Sequence, residues 1–434
     1  MVIRALLARA SRTRTTLLLL AWPGAGLLVG CEAILGLQHR ESSEGQDEGG
    51  PRIVEAGEAG DERAQVAPMD AGDEREAGCR PGTQTCMGTS LVTCEADGQW
   101  GAPWPCATGM CAGNACSGET TAATSCPDGG AGLGTAQCGA TGESCCTSIE
   151  VPGGTYDRQY VYTDAGTVAS EDAAATISGF RLDKYEVTTA RFAEFVAASG
   201  TDAGAVPPAR SGKHEHLNGG QGLSNNATPP TYEVGWIESD SANIATTAAN
   251  LGSCKPYSTS GQANAAQLPI NCVNWYEAYA FCIWDGGFLP SEAEWEYVAA
   301  GGMQEREYPW GSTDPGTMND FAICGDGTTS CFYPQLNACT NYQAIAAVGT
   351  ATQGAGALGH FDLAGNVWEW NLDWYSATYV DPCQDCAEIS PGPTRTLRGG
   401  SFNDSAPTLR SYNRDNTAPT TRSGGIGFRC ARVP

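Results

Sequence analysis

Histidine is scarce in this chain, with four residues in 434, and bases are few: 24 Lys and Arg stand against 49 Asp and Glu, a formal net charge of −25. The first scarcity removes nearly every metal centre built on imidazole, the commonest metal ligand. The second excludes nucleic acid as a partner, because phosphate backbones are held through a basic footprint. Charged residues make up 17% of the chain, against about 25% in an ordinary globular domain, which argues against coiled coils and helical bundles. No Gly-x-Ser-x-Gly elbow and no Gly-x4-Gly-Lys-Ser/Thr loop occurs, so those hydrolase and nucleotide chemistries have no carrier. What the chain has in abundance is Gly (56), Pro (24) and Cys (20). The first two favour loop-rich architecture, and so many cysteines point to an oxidising, extracytoplasmic compartment.

Residues 1–30 carry Arg4, Arg9, Arg12 and Arg14 and no acid, followed by an apolar run from Leu17 to Trp22. This is the order of a secretory signal. Interrupted by Pro23 and Gly24, the run is too short to span a bilayer. It ends in Leu28-Val29-Gly30-Cys31, which resembles a bacterial lipoprotein signal, so Cys31 is expected to be acylated and to anchor the chain to a membrane of the cell envelope. Secretion with an unmodified Cys31 is the alternative. Residues 31–78 are rich in Asp, Glu, Gly and Ala and hold no aromatic residue. Such a segment reads as a disordered, self-repelling tether.

Ten cysteines fall in residues 79–146, from Cys79 to Cys146. With few large apolar side chains among them, this stretch is expected to be a small module held by disulfides rather than by a core. It contains no C-x2-C pair, which removes the usual zinc pattern. Residues 90–94 and Gln99-Trp100, separated by Asp97-Gly98, read as a hairpin.

From residue 147 the composition changes, and eight of the eleven tryptophans follow. Asn274 with Glu277, and Ser291 with Glu294, have the capping-box spacing, and a further helix starts near Thr188 with Phe192, Phe195 and Val196 on one face. Three short helices among Gly- and Asn-rich connections suit an irregular, loop-rich α+β fold.

Seven motifs in consistent order then carry a resemblance: residues 180–188 (Phe-Arg-Leu-Asp-Lys-Tyr-Glu-Val-Thr), 269–275, 288–297, 308–311, 362–370 (Asp-Leu-Ala-Gly-Asn-Val-Trp-Glu-Trp), 397–402 (Leu-Arg-Gly-Gly-Ser-Phe) and 427–430 (Gly-Phe-Arg-Cys). Over residues 147–434 the chain resembles the sulfatase-modifying factor, or formylglycine-generating enzyme, family. The resemblance implies a C-type-lectin-like fold in that region. It implies a calcium site made by the side chains of Asp362 and Glu369 and the carbonyls of Gly365 and Val367, a donor set of hard oxygens suited to that ion. It also implies a disulfide between Cys282 and Cys430, and a substrate groove beside Trp368 with Ser401 and Arg410 near it.

The departure is catalytic. Active members of the family oxidise a substrate cysteine with copper(I) held by two thiolates, and the corresponding positions here are Asp404 and Leu409. Copper(I) selects soft thiolates, so copper is not expected. The function expected is therefore a non-oxidase, surface-anchored member that binds a peptide, glycan or protein. A formylglycine-generating oxidase, or another family enzyme that modifies a protein substrate, is the alternative. His214 and His216 lie in a polar stretch with too few companions for a three-His iron site. Cys383 and Cys386 have redox spacing but lie between Pro382 and Pro391 rather than at a strand–helix junction, so a loop-stapling disulfide is the expected reading.

Overall fold

The computed structural model describes residues 134–162, 168–170, 173–198, 205–254, 265–334 and 344–434, with short pieces between 84 and 127. Cys31, the signal segment and the acidic tether lie outside the described residues. Among those that are described, no helix is long and apolar enough to cross a membrane.

In the cysteine-rich stretch, Gln84–Met87 pairs antiparallel with Ser90–Thr93, which pairs on its other side with Trp104–Pro105. The tight turn therefore precedes Ser90, where Gly88 supplies the positive φ of 65° that a two-residue hairpin loop requires. Trp100, like Trp104–Pro105, takes part in β pairing, and the Asp97-Gly98 turn expected between the two arms lies outside the described residues. Two disulfides, Cys126–Cys146 and Cys138–Cys145, close the C-terminal end of this stretch. That end is bound to the chain that follows. The Ser125 amide donates to Asp285 at 2.7 Å, Arg191 donates to the Cys145 carbonyl at 3.1 Å, and the Thr188 hydroxyl donates to the Gly134 carbonyl.

The main elements of the chain that follows are β1 (Ser148–Val151), β2 (Gly154–Asp157), β3 (Ala174–Ile177), β4 (Phe180–Asp183), α1 (Thr189–Ala198), α2 (Trp275–Trp284), α3 (Glu292–Ala300), β5 (Trp368–Trp374), β6 (Cys383–Gln384), β7 (Arg395–Arg398), β8 (Arg414–Thr417), β9 (Ile426–Gly427) and β10 (Ala431–Arg432). They form three small sheets ordered β10-β4-β1, β6-β3-β2 and β8-β7-β5-β9. Short strands among long connections give the mixed, loop-rich α+β architecture that composition implied.

The helices start where local chemistry dictates. Asn274 accepts from the Glu277 amide at 3.0 Å and Ser291 from the Glu294 amide at 3.2 Å, while each Glu reaches back to the cap amide. Helix α3 ends at Gly301, whose φ of 71° only glycine adopts without cost. Strand β5 alternates with period two. Trp370 and Leu372 join Phe192, Phe195, Trp275, Phe281 and Phe428 in the largest apolar core, and Phe192 stacks on Phe281 at 5.6 Å. Glu369 and Asp373 face a second, charged interior instead. There Asp373 accepts the first α3 amide, Glu292, at 2.6 Å, a carboxylate placed at the positive end of the helix.

Candidate functional site

A cleft of about 540 Å³ opens at the head of β5. It lies between the Gly399–Ser401 turn after β7, strand β8, and the approach to β9. Its lining includes Trp368, Ser401, Asn403, Asp404, Asp415 and Asn416. The turn depends on Gly399 and Gly400, with φ of 97° and 75°. A Cβ at Gly400 would stand 2.6 Å from the Leu409 side chain, so the close approach requires glycine.

One carboxylate oxygen organises the cleft wall. Asp404 Oδ2 accepts from Trp368 Nε1 at 3.0 Å, from the Ser401 amide at 2.9 Å and from the Ser401 hydroxyl at 2.7 Å. It thereby fixes the indole edge and the turn together. Leu409 has no exposed surface and packs with Tyr308, Ala322, Cys324 and Ala364, away from the lining. Cys324 in that cluster is the free thiol among the described residues, and burial pushes it up to about 12, with the charges of Asp314 and Asp404 adding to the effect. Arg410 is not part of the lining; its guanidinium turns to Glu307, 3.0 Å away. The reason is electrostatic, since the Glu307 carboxylate offers that guanidinium a charge partner. Among the described residues the lining holds two carboxylates and no Lys, Arg, His or Cys.

Behind the cleft lies a buried charge cluster. Glu186, just after β4, accepts from the Val367 amide at 3.1 Å and from Asn366 Nδ2 at 2.6 Å. Asp362, at φ 57°, accepts from the Gly349 amide at 2.6 Å. Glu369 takes the Arg429 fork at 2.7 and 2.6 Å and Trp295 Nε1 at 2.8 Å. Three carboxylates thus face one guanidinium. Burial, reinforced by Asp362 and Glu369, raises Glu186 well above the carboxylate range, and burial lifts Asp362 to about 6. Gly365 is irreplaceable here, because a Cβ at its φ of 83° would meet the Ile323 carbonyl at 2.3 Å.

An all-oxygen, buried, net-negative donor set has the chemistry of a hard-cation site. No group of three or more His, Cys, Asp or Glu side chains among the described residues is gathered to hold a metal by side chains alone. Two carbonyls would have to join Asp362 and Glu369, and Glu369 would share its oxygens with Arg429.

Cys282 and Cys430 are disulfide-bonded, tying α2 to the strand pair at the C-terminus. Sequence reasoning missed the buried His214. Its Nδ1 lies 3.0 Å from Glu233 Oε1 and its Nε2 3.0 Å from Glu294 Oε2. Burial opposes its charge, but the two carboxylates outweigh that and raise it to about 10. No local signal marks this triad, since the partners are 19 and 80 positions away. Glu186 and Arg429, by contrast, stand inside motifs already singled out.

Comparison with known proteins adds a family. The model of the sulfatase-modifying factor enzyme 1-like domain matches residues 136–434. The chain is 32% identical over 307 residues to the formylglycine-generating enzyme of Streptomyces coelicolor, covering 65% of this chain and 88% of that protein. It is 28% identical over 301 residues to the inactive C-alpha-formylglycine-generating enzyme 2 of Bos taurus, covering 65% and 87%. Among solved structures, PvdO from Pseudomonas aeruginosa aligns with 66% of this chain and 94% of its own, at 20% identity and a TM-score of 0.43.

Proposed function

Because this chain belongs to the sulfatase-modifying factor enzyme 1-like family, we propose that its C-terminal domain is a non-oxidase member that binds a ligand or protein partner in the cleft below Trp368. The reading rests on Asp404 and Leu409. Copper(I) is held by soft anionic sulfur. Here one position offers a hard oxygen already taken by three donors, and the other a buried hydrocarbon with no donor. The nearby thiol, Cys324, is protonated at neutral pH. These residues do not fit the copper ion.

What the cleft offers instead is recognition: an indole edge, hydroxyls, amides and two carboxylates, the mixture by which a pocket orients a polar ligand. Its charge selects against anions, as does the −25 of the whole chain. A copper(I) competition against a chromophoric chelator tests the reading. The wild-type protein is expected to withdraw no copper beyond an Asp404→Ala control, and the Asp404→Cys, Leu409→Cys double variant to withdraw more. One tightly held copper per wild-type chain, lost on Asp404→Ala, would overturn it.

Calcium is proposed at Asp362, Glu369 and the carbonyls of Gly365 and Val367. When bound, it would neutralise the carboxylate excess behind the cleft. Attachment through an acylated Cys31, outside the cytoplasm, is proposed from the signal-like N-terminus and from the disulfides, which persist in oxidising compartments.

A further inference from the structure

Among the described residues, the disulfide between Cys383 and Cys386 spans the fewest positions, three, whereas Cys282–Cys430 spans 148. Since the restraint on the unfolded chain grows with loop length, this bridge is the weakest staple of the set. Its surroundings are nevertheless organised about one sulfur. Arg158 is 3% exposed, and its Nη1 stands 3.8 Å from Cys386 Sγ. The rest of the guanidinium is fixed: Nε donates to the Ala173 carbonyl at 3.0 Å, Nη2 donates to the Val380 carbonyl at 2.5 Å, and the Tyr379 ring lies 4.5 Å away. A cation held against one sulfur of a disulfide favours that sulfur as the departing thiolate. The other sulfur belongs to the more accessible residue. Cys383 is 5% exposed against 1% for Cys386, and its neighbours Pro382 and Gln384 are exposed.

We propose that Cys383 and Cys386 form a thiol–disulfide exchange site for a dithiol, with Arg158 as the positioning residue that holds Cys386 as the leaving thiolate. A thiolate of the dithiol bonds to Cys383 Sγ while the Cys383–Cys386 bond breaks, its electron pair leaving on Cys386 Sγ. The second thiol of the partner, deprotonated, then attacks the partner's own sulfur in the mixed disulfide and releases Cys383. The partner is oxidised by two electrons to a disulfide and the protein pair is reduced by two. Of the two protons given up, one ends on Cys383 and the other goes to solvent, Cys386 remaining a thiolate beside Arg158.

The loop is anchored independently of its sulfurs. Asp385 accepts from the Ser178 amide and hydroxyl, each at 2.7 Å, and its carbonyl accepts from the Ser224 amide at 3.0 Å. Exchange should therefore leave the fold in place.

The test treats the full-length protein with dithiothreitol, traps thiols with an alkylating agent at timed points and reads the peptides by mass spectrometry, with circular dichroism in parallel. Cys383 and Cys386 should be alkylated at least about tenfold faster than Cys282 and Cys430, with the dichroism unchanged, and Arg158→Met should slow the reaction about tenfold while Arg158→Lys preserves it. Alkylation of both pairs in step with loss of dichroism would overturn the proposal. So would an Arg158→Met protein that reacts as fast as wild type. Should Arg158→Met fail to fold, the wild-type rate ratio alone decides.

Discussion

Replacing His214 by Gln removes a buried cation and leaves two carboxylates facing each other across the neutral amide. In the folded protein both ring nitrogens are engaged, at 3.0 Å from Glu233 and 3.0 Å from Glu294, and the group is raised from 6.5 to about 10. At 1.36 kcal/mol per tenfold change, that difference is an upper bound of about 5 kcal/mol. Breaking a buried pair by removing one partner costs about 3–5 kcal/mol, which agrees. Because the folded value lies above the unfolded one, the stabilisation is complete below 6.5 and is lost as pH rises through about 10. Denaturant unfolding, followed by tryptophan fluorescence with disulfides intact at pH 6, 8 and 10, should show a gap between wild type and His214→Gln that is largest at pH 6 and closes toward pH 10. A constant gap, or one below about 1 kcal/mol at pH 6, would refute the assignment of a buried imidazolium.

Calcium should stabilise the wild type relative to chelator by about 2.7 kcal/mol at a hundredfold excess over Kd, read as a higher melting temperature, and Asp362→Asn should abolish the shift. Four buried carboxyls are raised: Glu186 well above the carboxylate range, Asp362 to about 6, and Glu296 and Asp373 to about 7. Raised acids bind protons more tightly when folded, so stability in chelator should fall as pH climbs from the ordinary carboxylate range to about 7, which calorimetry at pH 5 and 7.5 checks. Removing the Cys282–Cys430 bridge with paired alanines should cost about 5 kcal/mol in the chain-entropy picture, read from denaturation midpoints. Intact mass of the membrane fraction should show an acylated chain beginning at Cys31; an unmodified soluble chain would remove the anchor.

The parts of this fold that were legible in the sequence are those decided over a few residues. The two capping boxes and the apolar face of α1 are local, and each appears where spacing placed it. Glu369 illustrates the opposite case. Its motif marks it as a ligand, but three-dimensional packing delivers Arg429 from 60 positions away and Trp295 from 74, so its oxygens are already engaged. Arg410 sits next to Leu409 in sequence, yet the chain turns it to Glu307 rather than into the cleft. His214 looks like part of a polar loop until Glu233 and Glu294 close over it. Charges that find partners across the fold leave no periodic trace, whereas caps and amphipathic faces do.

The central claim is that this domain has kept the family's fold and lost its copper thiolates, and turnover tests it most directly. Purified protein should be incubated with copper, oxygen and a peptide containing Cys-x-Pro-x-Arg, and the peptide mass followed against a free-copper control. With Asp404 and Leu409 in place of two sulfurs, no conversion above the control is expected. Loss of the substrate sulfur with gain of an aldehyde, at a rate above free copper, would contradict the account and make this chain an oxidase.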